Sequence, residues 1–214
     1  VLMEVGTGEI LAIANLSTKT GTLAESYNVA IGSSMEPGST FKLATVLALL
    51  DDEKATINDT VNINNSTKYY YGQKMVDSHI YKGAHTFSLE TAFEESSNAA
   101  ISWFAQKYYG SEPEKFISKL ESFSLSAMQG IEIPGEPEPF IKNTDDKHWS
   151  GVSLPWMSIG YELMLTPLQV LGFYNAVAND GVYVKPKFVK SIMDGGEEIT
   201  HFETETLNPK IAGD

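Results

Sequence analysis

The run from Phe41 to Leu50 constrains this chain more than any other segment. Phe41, Leu43, Ala44, Val46, Leu47, Leu49 and Leu50 leave almost no polar face if the segment is helical. A helix that is apolar all round is stable only inside a core. The spacing predicts a helix that opens at Ser39 and runs to about Leu50, because Met35-Glu36-Pro37-Gly38 just ahead of it stops regular structure. One charge, Lys42, interrupts the apolar run, and a lysine is almost never fully buried without partners.

Ser39 and Lys42 are three residues apart, so on a helix they share a face and the amine can reach the hydroxyl. A serine hydroxyl is a weak nucleophile until a base takes its proton. A lysine can be that base when burial lowers its pKa. Two plainer roles exist for the same residues: Ser39 as a helix N-cap and Lys42 as a solvated helix residue. Ser96-Ser97-Asn98 falls in the break between two expected helices, where a hydroxyl and an amide can face one cleft; both types are also common caps. The same Ser-x-Asn spacing recurs at Ser26-Tyr27-Asn28, inside a long loop.

Around these residues the pattern is helix-rich. Val1–Val5 and Ile10–Leu16 read as a β-hairpin around Gly6-Thr7-Gly8, and the near-continuous apolarity of the second run predicts burial on both faces beneath helices. Ser17–Ser34 reads as loop, and Asp51–Tyr71, polar and Asn-rich, as an exposed excursion. Helices are expected over Ser88–Glu95 and Ala99–Tyr109, the second closed by Gly110 at C′. Capping boxes open two more, at Ser111-Glu112-Pro113-Glu114 and at Thr166-Pro167-Leu168-Gln169. Gly130–Pro139 must be loop, and Tyr183–Asp194 and Glu197–Phe202 read as short strands around Gly195-Gly196. The fold class is α+β: a helical subdomain plus a small antiparallel sheet formed by the two chain ends.

The 214 residues suit one large domain or two small lobes sharing a core. A net charge of −13 repels phosphate backbones, so nucleic acid is not an expected partner. There is no cysteine, which excludes disulfide and thiolate chemistry. His79, His85, His148 and His201 are scattered without ligand spacing, and no metal or cofactor is expected. Asp145-Asp146 and the Glu132–Glu138 stretch offer carboxylates for calcium, but solvated acidic loops are the commoner reading. Glycosylation sequons occur at Asn15, Asn58 and Asn64 or Asn65.

Glu36-Pro37-Gly38-Ser39-Thr40-Phe41-Lys42 resembles the nucleophile segment of class B penicillin-binding proteins nearly letter for letter. That superfamily has a three-part serine signature with Ser-Asp-Asn as its second element; in penicillin-binding proteins the middle residue varies, and Glu95-Ser96-Ser97-Asn98-Ala99 resembles their version. Three further stretches match in order: Thr7–Ala12, Gly130–Glu136, and Ser158-Ile159-Gly160-Tyr161 followed by Leu165–Gln169. Trp156–Tyr161 most resembles the division-specific members. The likeness covers essentially all of residues 1–214 as one transpeptidase domain.

This resemblance implies a β-lactamase/transpeptidase-like fold and a D-Ala–D-Ala transpeptidase that cross-links peptidoglycan through an acyl-serine. It implies Ser39 as nucleophile, Lys42 as base, Ser96 as proton relay, Asn98 as a ligand of Lys42 and of the substrate amide, and the Ser39 N–H as half of an oxyanion hole. Peptidoglycan stem peptides and β-lactam antibiotics are the implied ligands, and divisome proteins the partners of the intact protein. The implied location is the periplasmic face of the inner membrane, held by an N-terminal helix that these residues do not include. Serine β-lactamase and a non-catalytic penicillin-sensor or divisome scaffold are the rival functions. The family's third motif, Lys-Thr-Gly, has no match after Asn98 and is expected beyond Asp214, which would leave the sheet incomplete. Lys19-Thr20-Gly21 precedes the nucleophile and is expected to be loop.

Overall fold

A computed structural model describes residues 1–19, 21–25 and 27–213. Along the chain come β1 (Leu2–Met3), β2 (Ile10–Ala12), β3 (Leu16–Lys19), β4 (Thr22–Glu25), α1 (Val29–Gly32), one 3₁₀ turn (Gly38–Phe41) and α2 (Lys42–Asp51). Then follow β5 (Thr60–Asn64), β6 (Thr67–Tyr70), β7 (Gln73–Val76), β8 (Ala84–Ser88), α3 (Leu89–Glu94), α4 (Asn98–Tyr109) and α5 (Pro113–Ser122). The rest is β9 (Phe140–Ile141), α6 (Ser153–Met157), β10 (Leu163–Met164), α7 (Pro167–Ala178), β11 (Tyr183–Val184), β12 (Ser191–Asp194), β13 (Glu197–His201) and β14 (Thr206–Asn208). Helices with small antiparallel sheets make this an α+β protein, as the sequence implied. The residues group into two compact units, one of Val1–Met35, Ser122–Pro139 and Leu165–Asp214, the other of Glu36–Glu121 and Phe140–Met164.

In the second unit α2 has no exposed position, as its all-round apolarity requires. It packs against α3 and α4, and α4 in turn packs on α6 and on β5, β6 and β7. The α2 C-terminus is tied down by the Tyr109 hydroxyl, which donates to the Ala48 carbonyl and to Asp52, both at 2.8 Å. Two expectations change here. The α-helix begins at Lys42 and not at Ser39, because Gly38–Phe41 winds as a 3₁₀ turn whose Ser39 carbonyl accepts the Lys42 N–H. Gly110 is a helical C-cap with φ −62 and not the left-handed C′ residue.

The polar segment after α2 is a four-stranded antiparallel sheet in the order β7-β6-β5-β8, and not an excursion. Val61 and Ile63 are buried while Thr60, Asn62 and Asn64 are exposed, the alternation of a half-buried strand. Two-residue turns at Asn65-Ser66 and Tyr71-Gly72 join β5 to β6 and β6 to β7, and all four residues have positive φ, as the tight hairpin turn demands.

In the first unit, α7 starts at the capping box read from the sequence: Thr166 Oγ1 accepts from the Gln169 N–H at 3.1 Å and Gln169 Oε1 from the Thr166 N–H at 2.9 Å. β1 and β2 form the expected hairpin, but burial on both faces fails, since Leu11 is 57% exposed. Among the described residues β2 hydrogen-bonds as a strand only to β1, and beside it Glu9 forms an isolated parallel bridge to Lys187. The segment expected to be loop at Lys19 is instead a hairpin: Lys19 ends β3 and pairs with Thr22 of β4. Thr20, Ser26 and Asp214 lie outside the described residues.

If the sheet after α2 is a structural layer, Ile63, 1% exposed, is one of its anchors. Ile63→Ala is expected to cost about 2–5 kcal/mol, and Asn62→Ala on the outer face less than about 0.5 kcal/mol, in urea unfolding monitored by circular dichroism.

Candidate active site

Lys42 is the centre of a polar cluster in the second unit. Its side chain is 1% exposed, so each of its three N–H donors needs an acceptor. The ammonium donates to the Ser96 carbonyl at 2.6 Å, to Asn98 Oδ1 at 2.7 Å and to Ser96 Oγ at 3.0 Å. Asn98 is fixed in that orientation because its Nδ2 donates to the Val76 carbonyl at the end of β7, at 3.0 Å. Burial pulls the Lys42 pKa down from 10.5 to about 8, and the charge of Asp77 opposes that fall. The amine is thus near the point at which neutral base becomes available at physiological pH.

Ser96 owes its place to how α3 ends. The Ser97 N–H donates to the Ala92 carbonyl at 2.9 Å and the Ser96 N–H to that of Phe93 at 3.0 Å, the paired bonds of a Schellman motif. Ser96 occupies the left-handed position of that motif, with φ +54, where glycine is usual. A serine there carries strain, and it turns both its carbonyl and its hydroxyl onto Lys42. The chain then restarts at once as α4, with Ser97 as N-cap accepting from the Ala100 N–H at 3.0 Å.

Ser39 sits on the 3₁₀ turn before α2, and its side chain is exposed. Among the described residues no hydrogen bond joins its hydroxyl to Lys42, whose donors are all engaged by Ser96 and Asn98. The turn itself is clamped. The Gly38 N–H donates to the Gly160 carbonyl at 3.0 Å, Thr45 Oγ1 to the Ser158 carbonyl at 2.7 Å, and the Glu162 N–H to Glu36 Oε1 at 2.9 Å. A side chain at Gly160 would bring Cβ to 2.0 Å from the Gly38 carbonyl oxygen, so only glycine permits this approach.

Of the four residues singled out from the sequence, Lys42, Ser96 and Asn98 converge directly, and Ser39 lies one turn ahead of Lys42. Sequence reasoning missed Asp77, which is 6% exposed and accepts from Ser97 Oγ at 2.9 Å and from the Ala99 N–H at 2.8 Å. An aspartate after Met75-Val76 carries no local signal of burial. His79 and His85 flank the Tyr81 ring, and no metal-binding group of three or more His, Cys, Asp or Glu exists among the described residues.

Residues 1–212 match the family model for the penicillin-binding protein transpeptidase domain. The chain belongs to this family. The chain is 30% identical over 210 residues to penicillin-binding protein PbpB of Mycolicibacterium smegmatis, covering 95% of this chain and 31% of that protein. It is 28% identical over 189 residues to peptidoglycan D,D-transpeptidase FtsI of Escherichia coli, covering 86% of this chain and 30% of that one. The chain therefore spans about a third of the length of these curated relatives. Among solved structures, penicillin-binding protein 3 of Mycobacterium tuberculosis complexed with aztreonam has a TM-score of 0.72 at 26% identity, covering 86% of this chain and 40% of that one. The fold is also that of penicillin-binding protein 2B of Streptococcus pneumoniae, with a TM-score of 0.80 at 23% identity over 99% of this chain and 37% of that one.

Two measurements test the geometry. A folded Lys42 that releases its proton near pH 8 while an unfolded one does so near 10.5 leaves the unfolded chain with more bound protons between those values. Lys42 therefore opposes folding in full below about pH 8, and stability rises with pH across that window. NMR titration of lysine side chains, with Lys42→Met to assign the signal, is expected to find the inflection near 8. At Ser96, glycine removes the left-handed strain and alanine keeps it, while both delete the hydroxyl. Ser96→Gly is expected to exceed Ser96→Ala in unfolding free energy by about 1 kcal/mol, the reverse of the usual order.

Proposed function

We propose that this chain carries the acylation centre of a class B, division-type peptidoglycan D,D-transpeptidase, and that residues 1–214 all belong to that one transpeptidase domain. The observation that carries the reading is the buried Lys42 amine, one helical turn after the exposed Ser39 hydroxyl and wired to Ser96 and Asn98. Neutral Lys42 takes the Ser39 proton as Oγ attacks the penultimate D-Ala carbonyl of a stem peptide. The Ser39 N–H, at a clamped turn, helps hold the oxyanion. Ser96 is the one of the three Lys42 partner atoms that can reverse its hydrogen bond, since a hydroxyl both donates and accepts. It can therefore pass a proton from Lys42 to the departing D-Ala amine as the C–N bond breaks. The acyl-serine is then attacked by an amine of a second stem peptide, and the proton returns by the same path.

A β-lactam acylates Ser39 in the same way, Oγ attacking its ring carbonyl as the ring C–N bond opens and the nitrogen takes the proton. The relatives support this, since M. tuberculosis penicillin-binding protein 3 was solved with aztreonam and with ampicillin. Extracytoplasmic work on peptidoglycan, with a membrane anchor and divisome partners in the intact protein, belongs to the same reading. Among the described residues no helix is long and apolar enough to cross a membrane.

The intact protein is expected to form a fluorescent-penicillin adduct that survives for hours on a denaturing gel, and Ser39→Ala to abolish it. Rapid turnover of the label would mean a β-lactamase instead. Labelling that persists in Ser39→Ala removes the mechanism.

A further inference from the structure

The signature that this chain resembles carries aspartate between its serine and asparagine, and here that position is Ser97. A carboxylate nevertheless meets this turn from outside it. Asp77, just beyond β7, accepts from Ser97 Oγ at 2.9 Å and from the Ala99 N–H at 2.8 Å, so a buried anion sits at the N-terminus of α4. Asp77 is itself anchored: its N–H donates to the Ser66 carbonyl at 3.0 Å, and Ser66 Oγ accepts from the Tyr81 N–H at 2.8 Å, both at the β5–β6 turn. Next to it the Val76 carbonyl holds Asn98 Nδ2. Two consecutive residues at the β7 exit, Val76 and Asp77, thus bind the three consecutive residues Ser97, Asn98 and Ala99.

We propose that Asp77 is a positioning residue that supplies from β7 the carboxylate which a Ser-Asp-Asn sequence would carry in its middle residue, and that it holds Ser96 and Asn98 on the Lys42 amine. It does so without touching Lys42. The inference rests on the transpeptidase reading for its consequence, but its geometry does not. The elements around Lys42 also bring Glu90, Glu94 and Glu95 on and after α3, Lys107, Tyr108 and Tyr109 on α4, and Tyr81, His79 and His85 beyond Asp77. Of these and Asp77, Asp77 alone is a charge acting on Lys42, and it favours the protonated amine.

The test relocates the carboxylate. Initial rates of fluorescent-penicillin acylation are measured against pH in the intact protein for Asp77→Ser, Ser97→Asp, Ser97→Ala and the double variant Asp77→Ser/Ser97→Asp. Circular dichroism reports folding in each. Asp77→Ser is expected to acylate about ten- to a hundredfold more slowly, the cost of losing hydrogen bonds to a charged group. Its rate midpoint should move to lower pH, because the charge that favours protonated Lys42 is gone. Ser97→Asp crowds two carboxylates and is expected to be slow as well, whereas the double variant should recover to within a few-fold of the parent in rate and midpoint. Ser97→Ala keeps the charge and should keep the midpoint. A parental rate in Asp77→Ser, a double variant no faster than Asp77→Ser, or a midpoint shift in Ser97→Ala equal to that in Asp77→Ser would each overturn the proposal. Ser39→Ala run alongside separates this outcome from failure of the functional reading, since only the latter leaves Ser39→Ala labelled.

Discussion

An amine with almost no contact with solvent needs three acceptors, and much of the second unit is arranged to bring them to Lys42. The helix that carries it is almost wholly apolar, and the hydroxyl of Thr45, one turn on, is spent on the Ser158 carbonyl, so the acceptors are supplied from elsewhere. The acceptors come from a segment more than fifty positions on: Ser96 and Asn98, the latter steadied by the Val76 carbonyl. Desolvation and the charge of Asp77 pull in opposite directions on the same proton. Their balance leaves the amine able to give the proton up near neutral pH, which a solvated lysine cannot do.

What the sequence revealed depended on how local the cause was. Thr166 and Gln169 satisfy each other across three residues, and that capping box was readable because nothing distant takes part. The α2 run was readable for the same reason, since its apolarity has one structural meaning. The sheet of β5 to β8 was hidden because Asn62, Asn64, Asn65 and Ser66 dominate the composition, while the alternation at Val61 and Ile63 spans only one strand. The β1–β2 ribbon misled in the opposite sense, because continuous apolarity speaks of burial without naming what does the burying.

The site followed the same division. Ser39, Lys42, Ser96 and Asn98 were found by pattern, yet among the described residues the amine bonds to Ser96 and Asn98 and makes no hydrogen bond to Ser39. Its donors are spent on distant residues that the spacing of Ser39 and Lys42 cannot reveal. Asp77 could not be found at all from its neighbours, since its burial follows from the meeting of the β7 exit with the start of α4.

The chain crosses between the two units four times, and the backbones of Met35 and Leu165, both in the first unit, exchange a pair of hydrogen bonds at 3.0 Å. During synthesis from the N-terminus this ordering has a temporal meaning. Every residue of the second unit, including all of the Lys42 cluster, has been joined to the chain once Met164 has been added. The first unit still lacks α7 and β11 to β14 at that moment. The ribosome therefore delivers the parts of the Lys42 cluster as a complete set before the unit that begins the chain can close.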